Sequence, residues 1–204
     1  MDRVRDHRQP RPRCYHQCSW FRIGEGFVEH IREQVADVLS SRSDLALPLW
    51  TPTGRHDDEH RYCQQVAATQ AGYVCLDSNL ASTPFHPRFE LCDCLGPRGE
   101  LIFIKWLGRA TALSHLCTQA AVSADALREE PEAMIQLAGK VKAIDPQRTI
   151  SEPSCVVLAA AGREWTVDQI FTLSQIGLLR LHRTLRRLQI RLAFANIPYV
   201  PKKR

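Results

Sequence analysis

Between Phe89 and Gln119 the chain reads F-E-L-C-D-C-L, G-P-R-G, E-L-I-F-I-K-W and then S-H-L-C-T-Q. Glu90 and Asp93 lie on one apolar stretch and Lys105 ends the next. Carboxylate oxygens can hold Mg²⁺, and a lysine can steady the charge that develops on a phosphate. Together they are the means of hydrolysing a phosphodiester with a metal ion. Nucleases of the acidic D…(D/E)-x-K type put an Asp where one strand ends or bends. They carry the second acid and the Lys two apart on the next strand, so both point to one side. Asp93 and Lys105 fit the outer positions, but position 103 is Phe103 rather than an acid.

Other side chains could complete such a set. Glu90 precedes Asp93 by three, so on a regular strand the two face opposite sides. A bulge near Cys92 would bring them together. Asp77 ends the preceding strand, Glu59 starts the helix before that strand, and Gln119 lies on the helix that follows. His115, beside Ser114, is a candidate on the same helix, though adjacent Ser and His do not make a nucleophile and its base. Each has an ordinary structural alternative. Lys105 can be an edge charge, Asp77 a turn residue, and His115 a polar helix-face residue.

The elements that must position these residues follow from periodicity. Phe27, Val28, Ile31, Val35, Val38 and Leu39 recur at helical spacing over 25–40. Residues 40–58 read as a loop, and Asp57 or Asp58 caps a helix to about Gln70. Residues 73–77 form a short strand, 78–87 a loop, and 88–106 a hairpin around G-P-R-G. Leu113, Leu116, Cys117, Ala120, Ala121, Ala124 and Leu127 make one apolar stripe on a helix over 111–127. Pro131 suits the first turn of a helix to about Val141. The run 154–161 has the composition of a strand buried on both faces. Thr166 with Gln169 matches a capping box. A helix over 175–189 turns Leu178, Leu181, Leu185 and Leu188 inward, and 191–197 alternates as a last strand. The order implies a mixed α/β domain over 19–204, with a central sheet flanked by helices.

Charge is distributed unevenly. The net +5 combines basic ends with an acidic middle: residues 180–204 hold eight Lys/Arg and no acid. Arg180, Arg183 and Arg187 share one helix face, so nucleic acid is the expected partner, with Arg109 and Lys105 nearer the hairpin. A merely solvated face is the alternative. Residues 1–18, rich in Arg and Pro, read as a disordered basic tail. Its lack of an apolar core excludes a secretory signal. No apolar run reaches the roughly 18 residues of a membrane span, so a cytoplasmic protein is expected. Of eight cysteines, Cys75, Cys92, Cys94, Cys117 and Cys155 fall inside predicted elements, as small core hydrophobes do. Cys14, His16, Cys18 and the Cys92/Cys94 pair lack the spaced-pair pattern of structural zinc, so zinc is not expected and Mg²⁺ is.

These motifs occur in a specific order: Asp58, Glu59 and Tyr62; Leu76-Asp77; F-E-L-C-D-C-L; L-I-F-I-K-W; S-H-L-C-T-Q-A-A-V-S-A; and F-T-L-S-Q-I near 171–176. The set resembles a sporadically distributed bacterial family of unknown function, whose motifs run E-x-x-Y-N, I-E-x-C-D-L, I-H-V-K-R and S-H-L-F-x-Q-G. The resemblance spans about residues 19–200, and the chain is similar to the C-terminal part of a typical member. It matches Glu59, Tyr62, Asp77, Glu90, Asp93, Lys105, Ser114, His115 and Gln119. Phe103 stands for the usual His, Trp106 for Arg and Cys63 for Asn. The resemblance implies a restriction-endonuclease-like core and a role in phage or genome defence, with a homo-oligomer or a defence-system partner compatible with that setting.

Overall fold

The computed structural model describes residues 13–16, 19–22, 24–54 and 58–201. A five-stranded mixed sheet forms its centre. In space the strands run β3 (Val74–Cys75), β6 (Cys94–Leu95), β7 (Leu101–Trp106), β8 (Cys155–Ala161) and β9 (Arg191–Asn196). β6 is antiparallel to both of its neighbours, β3 and β7; β7, β8 and β9 are parallel. A separate antiparallel pair joins β4 (Leu80–Ala81) to β5 (Phe89–Glu90). Near the N-terminus β1 (Arg13–His16) pairs with β2 (Ser19–Arg22). One described strand thus falls inside the expected tail. Residues 1–12, 17 and 18 lie outside the described residues, as do the side chains of the Cys14–His16–Cys18 cluster.

Helices cover both faces. α1 (Glu25–Leu39), α3 (Ala110–Glu129), α4 (Pro131–Ile144) and α5 (Thr172–Arg187) share one core with Leu101, Phe103, Val156, Leu158 and Phe194. α2 (Asp58–Thr69) and the loop residue Trp50 cover the other face, against Ile102, Ile104, Val157 and four small residues, Ala159, Ala161, Ala193 and Ala195. The strict alternation along β7 assigns each side chain to one core or the other. β8 is buried along its whole length, as a central parallel strand with helices on both sides must be. Parallel β7 and β8 need a long crossover, which α3 and α4 supply.

Two expectations need correction, the unbroken hairpin and the capping box. The first strand of the expected hairpin is broken. Phe89 and Glu90 pair with β4, inside the segment read as a loop, while Cys94 and Leu95 pair with β3 and β7. Consequently Cys92 enters one core and Cys94 the other, so the C-x-C does not converge as a ligand pair. A regular strand would turn both to one face. Finally, the capping box at Thr166 does not form. Thr166 makes no side-chain cap, and Gln169 Oε1 instead accepts from the Glu164 N–H. Among the described residues no helix is long and apolar enough to cross a membrane.

Candidate functional site

The site lies where β7 ends, against the start of α2 and α3. Asp93 sits at the break before β6 and is 6% exposed. Its Oδ2 accepts the Ile104 N–H at 2.5 Å, while its own N–H donates to the Ile102 carbonyl at 3.0 Å. The side chain therefore replaces a ladder acceptor, as an irregular strand requires. Burial holds the Asp93 carboxyl well above the usual range, only partly offset by the Ile104 N–H. The Asp77 and Glu90 charges push it further up, and Lys105 pulls it down. Glu90 is raised as well, by burial and then by Asp77, against the pull of Lys105 and His115. Gln119 on α3 donates to its Oε2. Asp77, Glu90, Asp93 and Lys105 thus share one electrostatic neighbourhood.

Lys105 is not a solvated edge charge. It is 22% exposed at its side chain, and Nζ lies 2.5 Å from Glu59 Oε2. Glu59 Oε1 accepts the Trp106 N–H at 3.2 Å, which fixes the carboxylate in the first turn of α2. The next residue, His60, turns to Asp77, with Nδ1 2.5 Å from Oδ2. Gln64 Nε2 is 2.9 Å from His60 Nε2. An amide donor there leaves the ring hydrogen on Nδ1, where it is donated to Asp77. Sequence reasoning missed His60. Its signal was the Gln64 four residues on, a helix-face pair of polar groups.

A cleft of about 880 Å³ opens over the Glu59–Lys105 pair. Its walls include Glu59, Lys105, Trp106, Arg109 and His115. The first turn of α3 also lines it through Thr111 and Ala112, so the positive end of the helix dipole favours an anion there. Trp106 is held by close backbone. A Cβ on Gly162, whose φ is +84°, would lie 2.9 Å from the indole Nε1. Trp50, also missed from the sequence, stacks on Tyr62 with centroids 4.4 Å apart and meets Trp106 edge-on. Asp58 pins the loop beneath by accepting from the Thr53 and Gly54 N–H groups at 3.0 and 2.8 Å. A second cleft of about 360 Å³, lined by Arg88, Glu90, Thr118 and Gln119, shares His115 with the first.

Glu59, Lys105, Arg109 and His115 thus line one cleft, and Glu90 and Gln119 line the second beside the shared His115, while Asp77 and Asp93 line neither and reach the others through their charges. Arg180, Arg183 and Arg187 line neither cleft. α5 runs antiparallel to the parallel strands, away from the cleft end, so Arg183 and Arg187 lie toward the opposite end of the sheet. Arg183, Arg186 and Arg187 line a shallow depression of their own. Phe103 is fully buried in the α3-side core. Among the described residues no three His, Cys, Asp or Glu side chains converge closely enough to hold a metal ion by themselves.

A family model described as a family of unknown function, DUF6119, matches residues 12–198. The chain belongs to this family. No curated protein and no solved structure matches it. The DUF6119 match thus gives the chain a family but no activity.

Proposed function

We propose that this DUF6119 chain is a metal-dependent, nuclease-like protein acting on nucleic acid, with a restriction-endonuclease-like core and phage or genome defence in the cytoplasm as its setting. The observation that carries the reading is the placement of Asp93, at the break before β6 and bonded to Ile104 of β7, near Lys105 at the end of β7, with Asp77 and Glu90 close enough to act on it and a cleft lined by Lys105, Arg109 and His115 alongside. The donor chemistry fits Mg²⁺. Carboxylate oxygens that raise one another's proton affinity are relieved by a shared divalent cation, and Mg²⁺ needs only one or two carboxylates with water completing its shell. Asp93 with Glu90 or Asp77 would hold it. When bound, the ion would activate a water and withdraw charge from the phosphate. Gln119 orients Glu90, Glu59 orients Lys105, and Lys105 stabilises the developing phosphate charge. Arg109 and the α3 N-terminus hold the backbone phosphate.

Purified protein with Mg²⁺ should cleave DNA or RNA, and Lys105→Ala should lower the rate by about 10²–10³-fold. Folded wild-type protein that cleaves neither substrate would sink the enzymatic reading. One observation favours a second reading, a non-catalytic nucleic-acid-binding or assembly module. Phe103 fills the second-acid position, and no three-ligand group stands in its place among the described residues. That reading expects salt-sensitive binding which needs no metal and survives Lys105→Ala.

A further inference from the structure

Three thiols meet behind the carboxylates. Cys94 on β6 and Cys63 on α2 are buried, and Cys75 on β3 is half-buried. Cys94 Sγ donates to the Cys63 carbonyl at 3.7 Å and lies opposite Cys75 in the strand register. Burial among apolar neighbours explains Cys63 and Cys94 as core residues. Cys75 packs against the same core from the outermost strand of the sheet but stays half-buried.

Cys75 and Cys94 are directly opposite in the antiparallel register of β3 and β6. Facing residues of such a pair hold their Cα atoms about 4.5–5.5 Å apart. Disulfides span about 4.4–6.8 Å. The bond therefore needs no movement of the two strands along each other. Cys75 is half-buried and Cys94 is 0% exposed, so a reagent in solvent meets Cys75 first.

We propose that Cys75 and Cys94 form an oxidisable pair, which a small-molecule disulfide converts to a cross-strand disulfide with Cys75 as the point of entry. In the first step Cys75 Sγ attacks one sulfur of the reagent. The reagent's S–S bond breaks, one half leaves as a free thiol carrying the Cys75 proton, and the other half remains on Cys75. Cys94 Sγ then attacks Cys75 Sγ and expels the second half, which takes the Cys94 proton. The protein loses two electrons and two protons, and the reagent becomes two thiols. The new bond would lie between Leu76-Asp77 and Asp93, where the Leu76 N–H already donates to the Asp93 carbonyl at 2.9 Å. It would tie together the two strands that carry these carboxylates. The proposal stands apart from the nuclease reading, since it needs neither metal nor substrate.

The test treats the folded full-length chain with oxidised glutathione, alkylates the remaining thiols and maps the peptides by mass spectrometry. A peptide pair joined through Cys75 and Cys94, with Cys63 alkylated, is the expected result. Cys94→Ser should leave glutathione trapped on Cys75. Cys75→Ser should leave Cys94 alkylated, and Cys63→Ser should still form the bond. Wild-type protein that keeps Cys75 alkylated, retains glutathione on Cys75, or joins Cys63 to Cys94 overturns the proposal. The wild-type map decides even if a variant fails to fold.

Discussion

Asp93 does two things that pull in opposite directions. Its Oδ2 closes the backbone of Ile104, which an amide would do as well, and its charge is held in a site that resists ionisation. A carboxyl raised in the folded state binds protons that the unfolded chain has released. Its stabilising effect is complete below the unfolded value of about 3.9 and is lost as pH rises through the folded value. Asp93→Asn keeps the Ile104 hydrogen bond and never ionises. The variant should melt above wild type at pH 8 without metal, and the gap should close toward pH 4. Cleavage should fall by about 10²-fold or more in the same variant. A melting difference that does not change with pH would mean that Asp93 is not the strained carboxylate described.

The elements around Asp93 explain why the second acid is missing. Phe103 sits between Leu101 and Lys105 on the face that α3 covers, and is 0% exposed. An acid there would be buried without a partner, at several kcal/mol. Phe103→Glu should therefore not fold, and Phe103→Ala should lower unfolding stability by about 3–5 kcal/mol in urea titrations. Tolerance of Phe103→Glu would mean that position 103 faces the cleft. On the proposed reading the acid that this position lacks would come from outside β7, from Glu90 or Asp77. Glu90 arrives on a strand of another sheet, held from α3 by Gln119, while Ser123 Oγ holds the Leu91 carbonyl. F-E-L-C-D-C-L looks like one strand because its composition suits one throughout. Where it breaks depends on β4 and α3, which are remote in sequence.

At the scale of the molecule, two basic groups among the described residues lie well apart. Lys105 and Arg109 line the cleft at one end of the sheet, and Arg183, Arg186 and Arg187 cluster toward the other. α5, 16 residues long, spans roughly 24 Å at about 1.5 Å per residue. A nucleic acid that meets both places must run along the α5 side of the protein. Replacing Arg183, Arg186 and Arg187 together by Ala should weaken binding and reduce the slope of log affinity against log salt by about 3, near 0.9 per lost phosphate contact on duplex DNA. Cleavage at saturating substrate should be unchanged. If the slope holds, these arginines are a solvated face.

The helices, the buried strand β8 and the candidates Asp93, Lys105, Glu59 and Gln119 are legible in the chain alone. Apolar stripes at helical spacing and an unbroken apolar run are local signals, and side chains that carry chemistry are visible by type. Which of them meet is a matter of the three-dimensional fold. It broke the strand at Asp93, sent Cys92 and Cys94 to opposite faces, gave Lys105 to Glu59 and Asp77 to His60, and carried the arginines of α5 away from the cleft. The reason is that register, strand order and helix direction arise from contacts between segments far apart in the chain, and those contacts have no local pattern to read.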